Sequence, residues 1–142
     1  MALGYTTYKT PNPITDIGAD LSDYEGHGVY LSATGEVSLA TAKTDIPYGV
    51  IVVGADSVNG GGGQIAASAL EIVDALGCVV QCIAGTGGVT AGDYVSIGAA
   101  SHFVAASTTI GDYNWGLALQ TASAGEQFLM RFQPFKVYSS TP

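Results

Sequence analysis

The chain has 142 residues, enough for one domain whose core needs no disulfide or metal staple; 47% of them are hydrophobic and only 11% are charged. Four Lys and Arg against 12 Asp and Glu leave a net charge of -8, a sign that repels phosphate backbones and argues against nucleic acid as a partner. No apolar run approaches the ~18 residues of a membrane-spanning helix, and a surface so poor in charge reads as one covered by another protein.

Residues 1–27 show no sustained hydrophobic period. Their first residues, Met1-Ala2-Leu3-Gly4-Tyr5-Thr6, lack the basic and apolar stretches of a signal peptide, so synthesis in a cytoplasm is expected. Tyr5 and Tyr8 precede Pro11 and Pro13, whose set φ and missing donors hold Thr10-Pro11-Asn12-Pro13 extended. The segment reads as an arm that lies on the domain or on a neighbour, with a mobile tail as the alternative. Asp16, Asp20, Asp23 and Glu25 lack the spacing of a calcium loop and read as a solvated acidic face.

From residue 28 the chain says nearly the same thing twice. Gly28-Val29-Tyr30-Leu31-Ser32 returns 64 residues later as Gly92-Asp93-Tyr94-Val95-Ser96, and Tyr48-Gly49-Val50-Ile51-Val52 returns after 67 as Trp115-Gly116-Leu117-Ala118-Leu119. Each copy reads as strand, tight Gly-containing turn, strand, loop and apolar strand, so Tyr48 and Gly49 should share structural positions with Trp115 and Gly116. The unbroken apolar run from Tyr48 to Val53 suits a strand covered on both faces, opened by Pro47. Gly60 to Gly63 mark an exposed loop. In the stretch 64–76 a helix capped by Gly77 competes with a strand; the repeat favours strand from about residue 70, leading into Cys78-Val79-Val80-Gln81-Cys82-Ile83. Glu126 to Phe132 closes the second copy as a strand, followed by an aromatic tail with Phe135 and Tyr138.

These signals predict an all-β fold in three parts. Residues 1–27 form the arm, 28–132 the duplicated domain (copies at about 28–69 and 92–132, bridging strands at about 70–84), and 133–142 a short C-terminal tail.

No motif carries chemistry. Gly85-Thr86-Gly87-Gly88-Val89-Thr90-Ala91-Gly92 runs into a strand rather than a helix and lacks the lysine of a phosphate loop, so it reads as turn chemistry. Cys78 and Cys82 would lie about 13 Å apart along a strand, beyond disulfide reach, and read as small buried thiols. His27 and His102 show no metal-ligand spacing, and His102 reads as a surface residue near a turn. Many serines occur without a credible base, so no catalytic residue, cofactor or metal is expected. Tyr48 and Trp115 could form a sugar-stacking pair, but filling a duplicated core position is the simpler role.

Four stretches, Pro47-Tyr48-Gly49-Val50-Ile51, Gly87-Gly88-Val89-Thr90-Ala91-Gly92-Asp93-Tyr94-Val95, Trp115-Gly116-Leu117-Ala118 and Ala124-Gly125-Glu126-Gln127-Phe128-Leu129, resemble the duplicated motifs of small phage capsid decoration (cement) proteins. The resemblance covers about residues 28 to 132. It implies a small β-barrel or β-tulip-like domain, commonly a homotrimer, on the outer surface of a phage head, where it clamps the major capsid protein. Tyr5, Tyr8, Pro11, Pro13, Phe135 and Tyr138 would then be the capsid or subunit contacts. The alternatives are another virion component, such as a tail, baseplate or head-fibre base protein, or a sugar-binding β module.

Overall fold

A computed structural model of the chain describes residues 8–9, 16–17, 21–53 and 71–139. The expectations for Tyr5, Pro11, Pro13, the four-glycine loop and residues 64–70 lie outside these. The strands are β1 (Tyr8–Lys9), β2 (Asp16–Ile17), β3 (Gly28–Leu31), β4 (Glu36–Leu39), β5 (Gly49–Val53), β6 (Glu71–Val73), β7 (Val79–Ile83), β8 (Tyr94–Ile97), β9 (Phe103–Ala105), β10 (Tyr113–Ala118) and β11 (Gln127–Lys136). Among the described residues the only helical element is a 3-10 turn at Ala99–Ser101, and none crosses a membrane as a helix.

The strands form two sheets, ordered β1-β6-β5-β3-β4-β2 and β7-β11-β10-β8-β9. With β2 set aside, the orders are identical. In each set of five, the first strand pairs with the last, the last with the fourth, the fourth with the second and the second with the third. Pairing is antiparallel throughout except where β2 joins β4. β1 and β2 lie at opposite edges of their sheet, five strand spacings of ~4.8 Å apart in its order.

Register equates the copies residue by residue. Val29 faces Leu39 on one side and Gly49 on the other, as Val95 faces Ala105 and Gly116. The first strands therefore correspond at an offset of 66 (Val29 to Val95), not the 64 suggested by the shared Gly-x-Tyr, while Gly49 and Gly116 keep 67. A slip of two leaves every side chain on its own face, so the alternation looked right in either alignment.

Two boundaries also move. β6 pairs with β5 and closes the first copy, whereas β7 pairs with β11 and starts the second, so residues 71–84 hold an end and a beginning. β11 continues past Phe132 to Lys136 through a bulge in which Phe132 and Phe135 face Gly116 and Asn114. Pro134 sits in that bulge, a position where its missing N–H costs no ladder bond. Residues 133–136 of the expected tail are thus strand.

The core has two parts. The inner face of the second sheet (Val80, Cys82, Val95, Ile97, Phe103, Trp115, Met130, Phe132) packs on one face of the first sheet, which contributes Val50 and Val73. The other face of the first sheet buries Val29, Val37, Ile51 and Ile72 with Leu21, and Tyr48 packs beside them. β5 is thereby covered on both sides, which explains its unbroken apolar run.

The duplicated glycines share one steric cause. A Cβ on Gly49 would lie 2.9 Å from the Val73 carbonyl oxygen, and one on Gly116 would collide with the carbonyl oxygen of Arg131. Val73 and Arg131 are themselves equivalent by register, so the same close approach occurs in both copies. Gly116→Ala should therefore cost at least about 2–3 kcal/mol by forcing the strands apart. Gly125→Ala, where only a φ of +85° opposes the new methyl, should cost about 1 kcal/mol. Urea unfolding of both variants checks this; equal midpoints would refute the close approach.

Candidate interaction face

In β11 the residues Phe128, Met130 and Phe132 point into the core while Gln127, Leu129, Arg131, Gln133 and Phe135 point out. That period of 2 continues across the sheet, because Arg131 faces Leu117 and Leu117 faces Tyr94. The outer row Tyr94, Leu117, Arg131 is the register equivalent of Gly28, Val50 and Val73 in the first copy. There, Val50 and Val73 are fully buried against the second sheet. The face that copy one hides inside the molecule, copy two presents to its surroundings.

Aromatic rings dominate this face. Tyr94 is 38% and Phe135 41% exposed, and their rings meet edge to face with centroids 5.0 Å apart. The next residue, Lys136, lies on the other side of the strand, with its Nζ 5.9 Å from the Tyr113 ring and 5.7 Å from that of Tyr138. At exposed sites such cation-π contacts contribute about 0.5–1 kcal/mol each. Tyr138 is 79% exposed, yet its backbone is tied down next door: Val137 N–H donates to Asp112 O at 2.8 Å, and Gly111 N–H donates to Val137 O at 2.9 Å. A large ring on a pinned backbone loses little freedom on binding.

Buried polar groups hold the base of the cluster. Asn114 accepts from Ser107 N–H at 2.8 Å and donates to Ser107 O at 3.0 Å, while Ser96 Oγ donates to Tyr113 O at 2.7 Å. Asp112 accepts the Ser107 hydroxyl. The first copy reaches in as well, with Tyr113 N–H donating to Lys43 O and Lys43 Nζ donating to Ile97 O at 3.1 Å. Burial pushes the Lys43 ammonium below the ordinary lysine value, and the Asp112 carboxylate opposes that shift.

Two hollows border the face. An apolar groove of about 510 Å³ runs between the sheets past Val52, Val73, Val79, Ile83 and Leu129, and a hollow of about 330 Å³ lies beside Thr90, Asp93 and Tyr94. Among the described residues no three of His, Cys, Asp and Glu converge as metal ligands, and both cysteines are free thiols. Burial raises the Cys82 thiol well above its usual value, which leaves it protonated and unreactive.

Of the contacts expected from the sequence, Phe135 meets Tyr94, and Tyr138 lies with Tyr113 around Lys136. Tyr8 lies in β1, opposite Ile72 on the far sheet. The alternation Gln127-Phe128-Leu129-Met130-Arg131 was the signal for Arg131; nothing local signalled that Tyr94 would reach Phe135. Trp115 is fully buried and Tyr48 packs against the second core cluster, so they are core residues rather than a pair of sugar platforms.

No family model matches the sequence, and no curated protein does. Among solved structures, the fold is similar to that of the N base of the head fibre protein gp8.5 of bacteriophage phi29, with 20% identity and a TM-score of 0.56 over 90% of this chain and 93% of that one.

The face should be separable from the core in energy. Tyr94→Ala and Phe135→Ala should each cost no more than about 1.5 kcal/mol, the scale of an exposed aromatic pair, whereas Trp115→Ala should cost about 3–5 kcal/mol. Denaturant titrations would show it, and a Phe135→Ala loss as large as that of Trp115→Ala would make the face a second core.

Proposed function

We propose that this chain is a structural component of a bacteriophage virion, a decoration protein on the outer surface of the head that binds the major capsid protein and stabilises its lattice. The observation that carries the reading is the exposed aromatic and cationic face of the second copy, whose equivalent in the first copy is an apolar packing surface. Such a face has the composition of a protein contact: aromatic rings and an arginine at the centre, few carboxylates around them. The reading is of a non-catalytic protein with no cofactor, acting through binding free energy alone. A homotrimer repeated over a shell would turn modest contacts into near-permanent attachment. The net charge of -8 supports a surface turned away from the packaged DNA.

The shared fold with a head fibre base favours a second reading, in which the same domain anchors a fibre to the head. Copy number in purified particles separates the two, since a decoration protein covers the lattice in hundreds of copies and a fibre base is present in fewer.

The attachment itself is tested by co-sedimentation with heads of the encoding phage stripped of the protein. Phe135→Ala combined with Tyr138→Ala should weaken binding at least tenfold, a loss of about 1.4 kcal/mol, with the variant still folded. Raising salt from 50 to 500 mM should change binding of the parent chain less than threefold, because rings rather than ion pairs carry the contact. Undiminished binding by the double variant would move the docking surface elsewhere, and failure of the parent chain to bind heads would refute the reading.

A further inference from the structure

The chain's two histidines, 75 positions apart, end with their rings in contact at a centroid separation of 4.7 Å and an interplanar angle of 52°. Each is held there by its surroundings. His27 lies in the segment that crosses between the sheets: Gly26 N–H donates to Ile51 O of β5, Ile83 N–H of β7 donates to Gly26 O, and Ile51 N–H donates to His27 O. Its Nδ1–H points at Tyr24 O and Glu25 O, 3.1 and 3.2 Å away, which leaves Nε2 as the nitrogen with a free lone pair. This is the arrangement by which proteins orient a metal-binding imidazole through its other nitrogen.

His102 follows a strained turn. Ala100 and Ser101 have φ of 59° and 61°, a region unfavourable to residues with a side chain, and the Ser101 hydroxyl is buried without a partner. Strain of this kind persists where a neighbouring group must be placed, and here the next residue is His102. The turn is closed by Gly98 N–H donating to His102 O at 2.8 Å.

The separation can be compared with coordination chemistry. With metal–nitrogen bonds of about 2.0–2.1 Å, each ring centroid lies about 3.2 Å from a shared ion, so two imidazoles stand about 4.5 Å apart at a 90° angle and about 5.2 Å apart at the tetrahedral angle. The observed 4.7 Å falls near the square end of that range. If one nitrogen of each ring faced a shared ion, that spacing would suit tetragonal Cu²⁺ or Ni²⁺, completed by water, better than a closed tetrahedral zinc site.

We propose that His27 and His102 form an exchangeable two-imidazole site for a divalent transition metal, Cu²⁺ or Ni²⁺, which pins the crossing segment before β3 to the turn before β9. The nearby Glu25 carboxylate would add negative charge beside the ion.

The test uses the full chain, freed of metal by chelator and titrated calorimetrically with CuSO4 and with NiCl2. One equivalent should bind, the histidine ring signals should shift or broaden in NMR, and the melting temperature should rise with metal. His27→Gln and His102→Gln, each with an unchanged circular dichroism spectrum and a metal-free melting temperature above that of the titration, should weaken binding at least tenfold and abolish the metal-induced rise. Absence of one-equivalent binding, or binding equal in the parent chain and both folded variants, would overturn the site. If either variant fails to fold, ring signals in the parent chain that ignore the metal give the same refutation.

Discussion

The fold depends on one close contact: the indole of Trp115 takes the space that a side chain at Gly28 would fill. A Cβ on Gly28 would stand 2.9 Å from Cζ3 of that ring and 2.8 Å from Cδ1 of Ile97. Gly28 belongs to the first sheet, and Trp115 and Ile97 belong to the second, so this is where the copies touch. Around the indole, Phe103 and Phe132 pack edge to face at centroid distances of 5.6 and 6.5 Å. This aromatic cluster packs with Val50 and Val73 of the first sheet in one core.

That contact also decides which surface is left over. The sheets do not meet through equivalent faces. The inner face of the second sheet receives the outer face of the first, while the inner face of the first closes over Val29, Val37, Ile51 and Ile72. Among the described residues, two copies stacked in the same sense leave one outer face without a partner, and it falls on the second copy. Self-stacking cannot extend the series, because the first copy's inner face is already filled. The open face must therefore meet something of another shape or stay wet, and its rings argue for a partner.

A chain with 11% charged residues has little electrostatic means of choosing that partner. It uses geometry instead. The bulge at Pro134 turns Phe135 toward Tyr94, the Asn114 and Ser107 bonds fix the strand beneath, and the ties at Val137 hold Tyr138 outward. Each of these places an aromatic ring on a backbone that does not have to be ordered on binding.

The strand alternation, the duplication and the glycines at 49 and 116 were legible in the amino-acid order because they follow from local rules: side chains alternate with period 2, and a backbone crowded by a neighbour's carbonyl accepts only glycine. The two-residue slip between the copies was not legible, since Gly28-Val29-Tyr30 and Gly92-Asp93-Tyr94 match in letters while hydrogen-bond register equates Gly28 with Tyr94. Nor was the length of β11, because a proline normally ends a strand and only the facing β10 makes the bulge that admits it. What the sequence by itself determined was an all-β, twice-repeated, weakly charged protein with aromatic residues near its C-terminus. Which sheet face is covered, that Tyr94 joins Phe135, and that His27 meets His102 were decided by tertiary structure, since each depends on how one copy stacks on the other and no single copy contains that information.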